Sequence, residues 1–262
     1  MTVSSISAVK ELSPLIHCIT NPISINQCAN VILASGARPM MAEHPEEAAV
    51  ITATAKAVML NMGNLTDVRK ESMLISAKTA AERGIPFVLD VCGAACLPTR
   101  RQYALELISA SLPTVVKGNY SEITALYSSS YTSSGVDADG ALTLEAAAQT
   151  TKALSGQLGT VVLASGKTDI VTDGRQLLFI HNGTPQLGTV TGTGCMQGAL
   201  CAAYLSVMGG LDAAAAASVV FGICGELAQT EKGAGSFMVN LLDALSTVTD
   251  ERINELSRME SL

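Results

Sequence analysis

Charge is scarce in this sequence. Asp, Glu, Lys and Arg make up 15% of its 262 residues, against 48% hydrophobic ones. That is more apolar than an ordinary soluble monomer needs, so part of the apolar surface is expected to be buried between subunits. The charge that exists sums to −7. Without a basic excess the chain lacks the clustered Lys and Arg on which affinity for a nucleic-acid backbone depends, which excludes that class of partner. No CxxC pair occurs among the seven cysteines, whose number is odd and whose positions are scattered. This pattern excludes a disulfide framework and a structural zinc site, and leaves reduced thiols, as in cytoplasm. His17, His44 and His181 have no partner at metal-ligand spacing and are assigned structural roles. No basic segment followed by a continuous apolar block stands near the N-terminus, so no secretory signal is visible. Residues 176–211 contain no Asp, Glu, Lys or Arg, but Gly183, Gly188, Gly192, Gly194 and Gly198 interrupt the run. It reads as protein core and not as a membrane span. No linker or internal repeat divides the chain, and one domain over 1–262 is expected.

Short β-rich runs ending in polar or glycine residues recur at 57–61, 86–90, 114–118 and 160–165. Helix-length segments lie between them. In 67–83 the apolar residues Val68, Met73, Leu74, Ile75, Ala77 and Ala80 are spread among charges, and Gly84, with Pro86 beyond, supplies the stop. Near-continuous apolar strands alternating with such helices predict an α/β fold in three layers, a mostly parallel central sheet with helices on both faces. Asp173-Gly174 separates two strand-like runs and predicts a hairpin at the sheet edge. Apolar helices are expected at roughly 195–208, 212–230 and 239–245, and an exposed serine-rich loop at 128–135.

Ligands of open α/β sheets sit beyond the carboxyl ends of the strands. That rule selects Asn61, Asp90, residues 117–122, Ser165 and the turn at 191–195. Gly192-Thr193-Gly194-Cys195 leads into an uncharged helix, where glycines let backbone N–H groups crowd at the positive helix end and cradle phosphate. A tight strand-to-helix turn with no ligand fits the same residues. Cys195, on the first turn of that helix, is either a thiol poised as a base or a packing residue. Asp90 and Glu122 are the sparse carboxylates that Mg²⁺ with ATP requires, or else a loop acid and a helix-start charge. Asn119 and Glu122 are spaced to share one face of a helical turn. Gly166-Lys167-Thr168 mimics the end of a P-loop, but Val161 stands where that motif needs glycine.

Five segments in order, 14–43, 88–94 (VLDVCGA), 117–123 (KGNYSEI), 190–199 (VTGTGCMQGA) and 232–237 (KGAGSF), resemble hydroxyethylthiazole kinases of the ribokinase-like superfamily over nearly the whole chain. The resemblance implies a ribokinase-like fold and a cytoplasmic homotrimer with active sites at subunit junctions. It also implies ATP- and Mg²⁺-dependent phosphorylation of 4-methyl-5-(2-hydroxyethyl)thiazole, a salvage step toward thiamine. By the same resemblance Asn21, Met41 and Gly192 would contact the thiazole, and Lys117, Asn119 and Ser165 the ATP. Asp90 and Glu122 would serve magnesium. Gly192, Thr193 and Gly194 would form the anion cradle, with Cys195 where most ribokinase-like kinases have an aspartate base. Lys117 stands where the family usually has arginine, Val91-Cys92 replaces Pro-Val, and Lys167-Thr168 replaces Glu-Val. The alternatives are another ribokinase-like small-molecule enzyme and a non-catalytic nucleotide or thiazole binder; a thiol hydrolase using Cys195 lacks a histidine in a recognisable partner context.

Overall fold

A computed structural model describes residues 5–132 and 142–262. One nine-stranded sheet runs through them in the order β2-β1-β3-β4-β5-β6-β7-β8-β9. Its parallel part comprises β1 (Leu15–Ile19), β2 (Arg38–Met40), β3 (Ala57–Asn61), β4 (Phe87–Asp90), β5 (Val115–Asn119) and β6 (Val161–Ser165). β7 (Asp169–Thr172), β8 (Leu177–Ile180) and β9 (Met259–Ser261) extend it antiparallel.

Side chains of a strand point alternately to the two faces, so each strand feeds two cores. Ala57 and Met59 join one cluster, and Val58 and Leu60 the other. The first face is covered by α1 (Ser5–Leu12), α2 (Ile25–Ala34) and the later helices α8 (Thr193–Leu205), α9 (Gly210–Leu227), α10 (Ala234–Thr247) and α11 (Asp250–Leu256). The second is covered by α4 (Asp67–Arg83), α5 (Pro98–Ala110), α6 (Tyr120–Tyr127) and α7 (Leu144–Leu158), while α3 (Pro45–Thr54) packs on α4. This is the three-layer arrangement expected from the sequence.

The α4 boundaries agree with the predicted 67–83. Thr66 caps it by accepting the Arg69 N–H, and Gly84 ends it at φ 65°, a left-handed conformation that glycine adopts without a Cβ clash. α9 is long and apolar enough to cross a membrane by composition, yet 72% of that stretch is buried inside the protein, as a core helix is. The hairpin at Asp173-Gly174 exists, but β9 pairs outside β8, so the hairpin lies one strand in from the edge. The third apolar helix is α10, longer than the predicted 239–245 at both ends. Of the serine-rich loop, 133–135 lie outside the described residues. His17 is buried between the Thr52 hydroxyl and the Ala42 carbonyl, His44 caps α3, and His181 meets Thr168 at 3.3 Å.

Candidate active site

Because β1 to β6 are parallel, their carboxyl ends form one rim, and the residues just past each strand come together there. Met41 follows β2, Asn21 follows β1, Asn61 ends β3, Asp90 ends β4, Lys117 and Asn119 lie in β5, and Ser165 ends β6. The start of α8 faces the middle of this rim. Gly192 caps it at φ 85°, and a Cβ there would lie 2.9 Å from that of Ser24, so the turn requires glycine twice over. The first intrahelical bond runs from the Met196 N–H to the Gly192 carbonyl at 2.9 Å. The N–H groups of Thr193, Gly194 and Cys195 therefore have no acceptor within the helix. The Thr193 hydroxyl donates to the Leu187 carbonyl at 3.0 Å and holds the turn, while Gly194 is exposed.

One flank of that turn is charged. Lys117 donates to Asp90 Oδ2 at 3.1 Å and to the Gly194 carbonyl at 2.8 Å, with both ionic side chains buried. Burial alone would lower the Lys117 pKa, but the negative neighbours Asp90, Cys195 and Glu122 together raise it, so the ammonium stays charged. Burial raises Asp90, which has the Lys117 cation opposing that rise and the Asn61 amide beside it. The two groups move in the same direction for different reasons: burial outweighs the cation for the aspartate, and the anionic neighbours outweigh burial for the lysine. Gly198 permits this packing, since a Cβ there would lie 3.2 Å from Asp90 Oδ2.

Glu122 and Asn119 form a reciprocal cap at the start of α6. Asn119 Oδ1 accepts the Glu122 N–H at 2.9 Å, and Glu122 Oε2 accepts the Asn119 N–H at 2.7 Å. Glu122 Oε1 accepts the Gly93 N–H at 2.7 Å. Burial, then the nearby Asp90, push Glu122 up to about 7. Both carboxylates are hard oxygen donors of the kind Mg²⁺ takes, and they are close enough to raise one another's energy. Because the two Glu122 oxygens already accept backbone donors, Glu122 fits a cation best through its remaining lone pairs or an intervening water. Among the described residues no cluster of three or more His, Cys, Asp or Glu could enclose a metal by itself.

The other flank surrounds a sulfur with neutral donors. Cys195 Sγ accepts from Asn21 Nδ2 at 3.4 Å and Asn61 Nδ2 at 3.3 Å, with Cys92 and Ser24 beside it. The Cys92 contact first, and the Lys117 charge next among the favourable influences, hold the Cys195 thiol down to about 6 against burial and Asp90. Asn21 Oδ1 accepts the N–H groups of Ile23 and Ser24 at 3.1 Å, which fixes its amide toward the sulfur. Of the remaining predicted residues, Ser165 donates to the Gly118 carbonyl at 3.3 Å beside Asn119, and Met41 packs half-buried against the core past the edge strand β2. Sequence reasoning selected Asn61 by position but gave it no role, and gave none to Cys92 at this site. Both are visible only once β3 and β4 are laid beside α8. Two surface hollows, of about 500 Å³ between α10 and α11 and about 450 Å³ beside α7, lie away from this rim.

The fold is ribokinase-like. A solved ribokinase-like superfamily protein from Enterococcus faecalis superposes with a TM-score of 0.66, covering 91% of this chain and 87% of that one, at 14% identity. Likeness that distant shows the architecture alone. The model of the hydroxyethylthiazole kinase family matches residues 6–251. "Hydroxyethylthiazole kinase 2" of Clostridium botulinum is 45% identical over 260 residues, 97% of this chain and 98% of the relative. The solved hydroxyethylthiazole kinase protein of Pyrococcus horikoshii superposes with a TM-score of 0.92 at 36% identity, covering 100% of this chain and 98% of that one. The chain belongs to the hydroxyethylthiazole kinase family.

Proposed function

We propose that this chain, as one kinase domain, transfers the γ-phosphoryl group of ATP to the hydroxyl of 4-methyl-5-(2-hydroxyethyl)thiazole in thiamine salvage, with Mg²⁺ as cofactor. The observation that carries the reading is the meeting of a buried Lys117–Asp90 pair and the donor-surrounded Cys195 at the first turn of α8. In a loose phosphoryl-transfer transition state, positioning and charge stabilisation supply most of the acceleration. The crowded N–H groups of 192–194 and the Lys117 ammonium would hold the migrating group. Lys117 acts as a point charge, without the two-pronged grip of an arginine. Asp90 and Glu122 would hold Mg²⁺, which supplies Lewis-acid neutralisation of the phosphate oxygens. Asn119 and Ser165, adjacent in the β5–β6 register, would border the nucleotide, and Asn21, Met41 and Gly192 the thiazole.

Cys195 would accept the alcohol proton. Base assistance of about 10²–10⁴-fold is a secondary share of the total, so a thiol can serve where its donors favour the thiolate. The exposed apolar side chains Ile23, Leu33, Met40 and Val50 support a homotrimer in which a second copy completes the thiazole side. Seven free cysteines support a cytoplasmic setting.

Mass spectrometry of the product tests the reading. Incubation with ATP, Mg²⁺ and the thiazole alcohol is expected to give the thiazole monophosphate, in preference to the phosphates of other primary alcohols. Phosphorylation of a different alcohol would move the chain to another ribokinase-like activity. Ligand-induced thermal stabilisation with no ADP from any alcohol would make it a binder.

A further inference from the structure

Asp169 opens β7 with a half-buried carboxylate to which neither strand pairing nor the site above assigns a task. Its Oδ1 accepts the Gly166 N–H at 3.0 Å, in the turn that follows Ser165. Its Oδ2 accepts from Gln197 Nε2, and Gln197 in turn donates to the Ser218 hydroxyl of α9 at 3.2 Å. Gln197 is buried on α8, two residues beyond Cys195 and three beyond Gly194. At 3.6 residues per turn it lies close to the side of Gly194 and nearly opposite Cys195. One carboxylate thus ties the turn beside the proposed nucleotide site to the helix that carries the anion cradle. The same turn is held on its other side by Tyr120, whose hydroxyl donates to the Thr168 carbonyl and whose ring packs under Gly166. None of these bonds reaches the Asn21–Asn61–Cys195 flank.

We infer that Asp169, through Gln197, is a positioning residue that sets the nucleotide turn at 165–168 against the first turn of α8, and so aligns the γ-phosphoryl with its cradle. The inference rests on the kinase reading above. Donors and acceptors here have one sense: the carboxylate can only accept, and the Gln197 amide and Gly166 N–H donate to it. Gln197→Glu sets two acceptors face to face, and Asp169→Asn with Gln197→Glu restores a donor–acceptor pair with its polarity reversed.

The test compares wild type, Gln197→Glu and the Asp169→Asn/Gln197→Glu double variant in steady-state kinetics and ADP titration. Displacement of a positioned group by about 1 Å costs about 10²-fold. Gln197→Glu is expected to lose about 10²-fold in kcat and to raise the ATP KM about tenfold, with the alcohol KM unchanged; the double variant should recover to within about tenfold of wild type. Loss of foldedness alone would lower the active fraction and leave both KM values in place, which overturns the inference, as does failure of the double variant to recover while its melting temperature does. ADP affinity reads the clamp without turnover: about tenfold weaker binding to Gln197→Glu supports it, and equal binding overturns it. A wild type that binds ADP but phosphorylates no alcohol would count against the kinase reading and leave this comparison of affinities intact.

Discussion

The two flanks of the first turn of α8 are built from opposite materials. On one side, Lys117, Asp90 and Glu122 bring buried charge to the turn. On the other, Cys195 is surrounded by amides, a thiol and a hydroxyl, with no acid or base in direct hydrogen-bond contact. Buried charge is expensive unless paired, and the charged flank spends its pairing on holding a cation beside the cradle. The neutral flank can stabilise a thiolate but offers little to a phosphate. A reaction between a neutral alcohol and a polyanion needs this asymmetry, and the helix dipole serves both sides at once.

Removing the charged flank should therefore do the most damage. Asp90→Asn combined with Glu122→Gln is expected to abolish the response of turnover to Mg²⁺ and to lower kcat by at least about 10³-fold; full turnover in that variant would overturn the metal assignment. Lys117→Met leaves Asp90 as an uncompensated buried charge. It should cost about 3–5 kcal/mol in chemical denaturation and about 10²–10³-fold in kcat, while Lys117→Arg keeps the charge and most of the activity. Gly192→Ala strikes the turn shared by both flanks. With φ at 85° and Ser24 in the way, about 1–3 kcal/mol of stability and about 10²-fold in kcat should be lost.

The neutral flank should be the more forgiving. Cys195→Ser is expected to retain turnover within about 10²-fold of wild type. Because Cys195 sits at about 6, below its ordinary value, the thiolate needed to accept a proton is present above that pH. Wild-type kcat should rise with pH through about 6, and that limb should vanish in Cys195→Ser. The stability linked to the same thiolate is fully present above the ordinary thiol pKa and is lost as pH falls toward about 6.

The contrast between the flanks was only partly legible in the sequence. Strand ends announce Asp90 and Lys117 because an apolar run stops at a charge, and α4 announces itself through Thr66, Gly84 and its periodicity. The sulfur pocket does not: Asn21, Asn61 and Cys92 lie on three loops or strand ends, and only the parallel register of β1, β3 and β4 aims them at α8. The edge strands β2 and β9 were hidden because each is three residues long and shows no apolar alternation. Asp169 was hidden for a different reason, since its partners are the turn just before it and a helix 28 residues on. Such tertiary pairings of buried polar groups leave no periodic trace.

The most direct measurement of the central claim is ADP release from ATP in the presence of 4-methyl-5-(2-hydroxyethyl)thiazole, with and without Mg²⁺. Alcohol-dependent ADP formation that stops when the metal is chelated is the predicted result. ADP formation indifferent to the thiazole alcohol, or undiminished after chelation, would contradict the assignment of this rim to phosphoryl transfer.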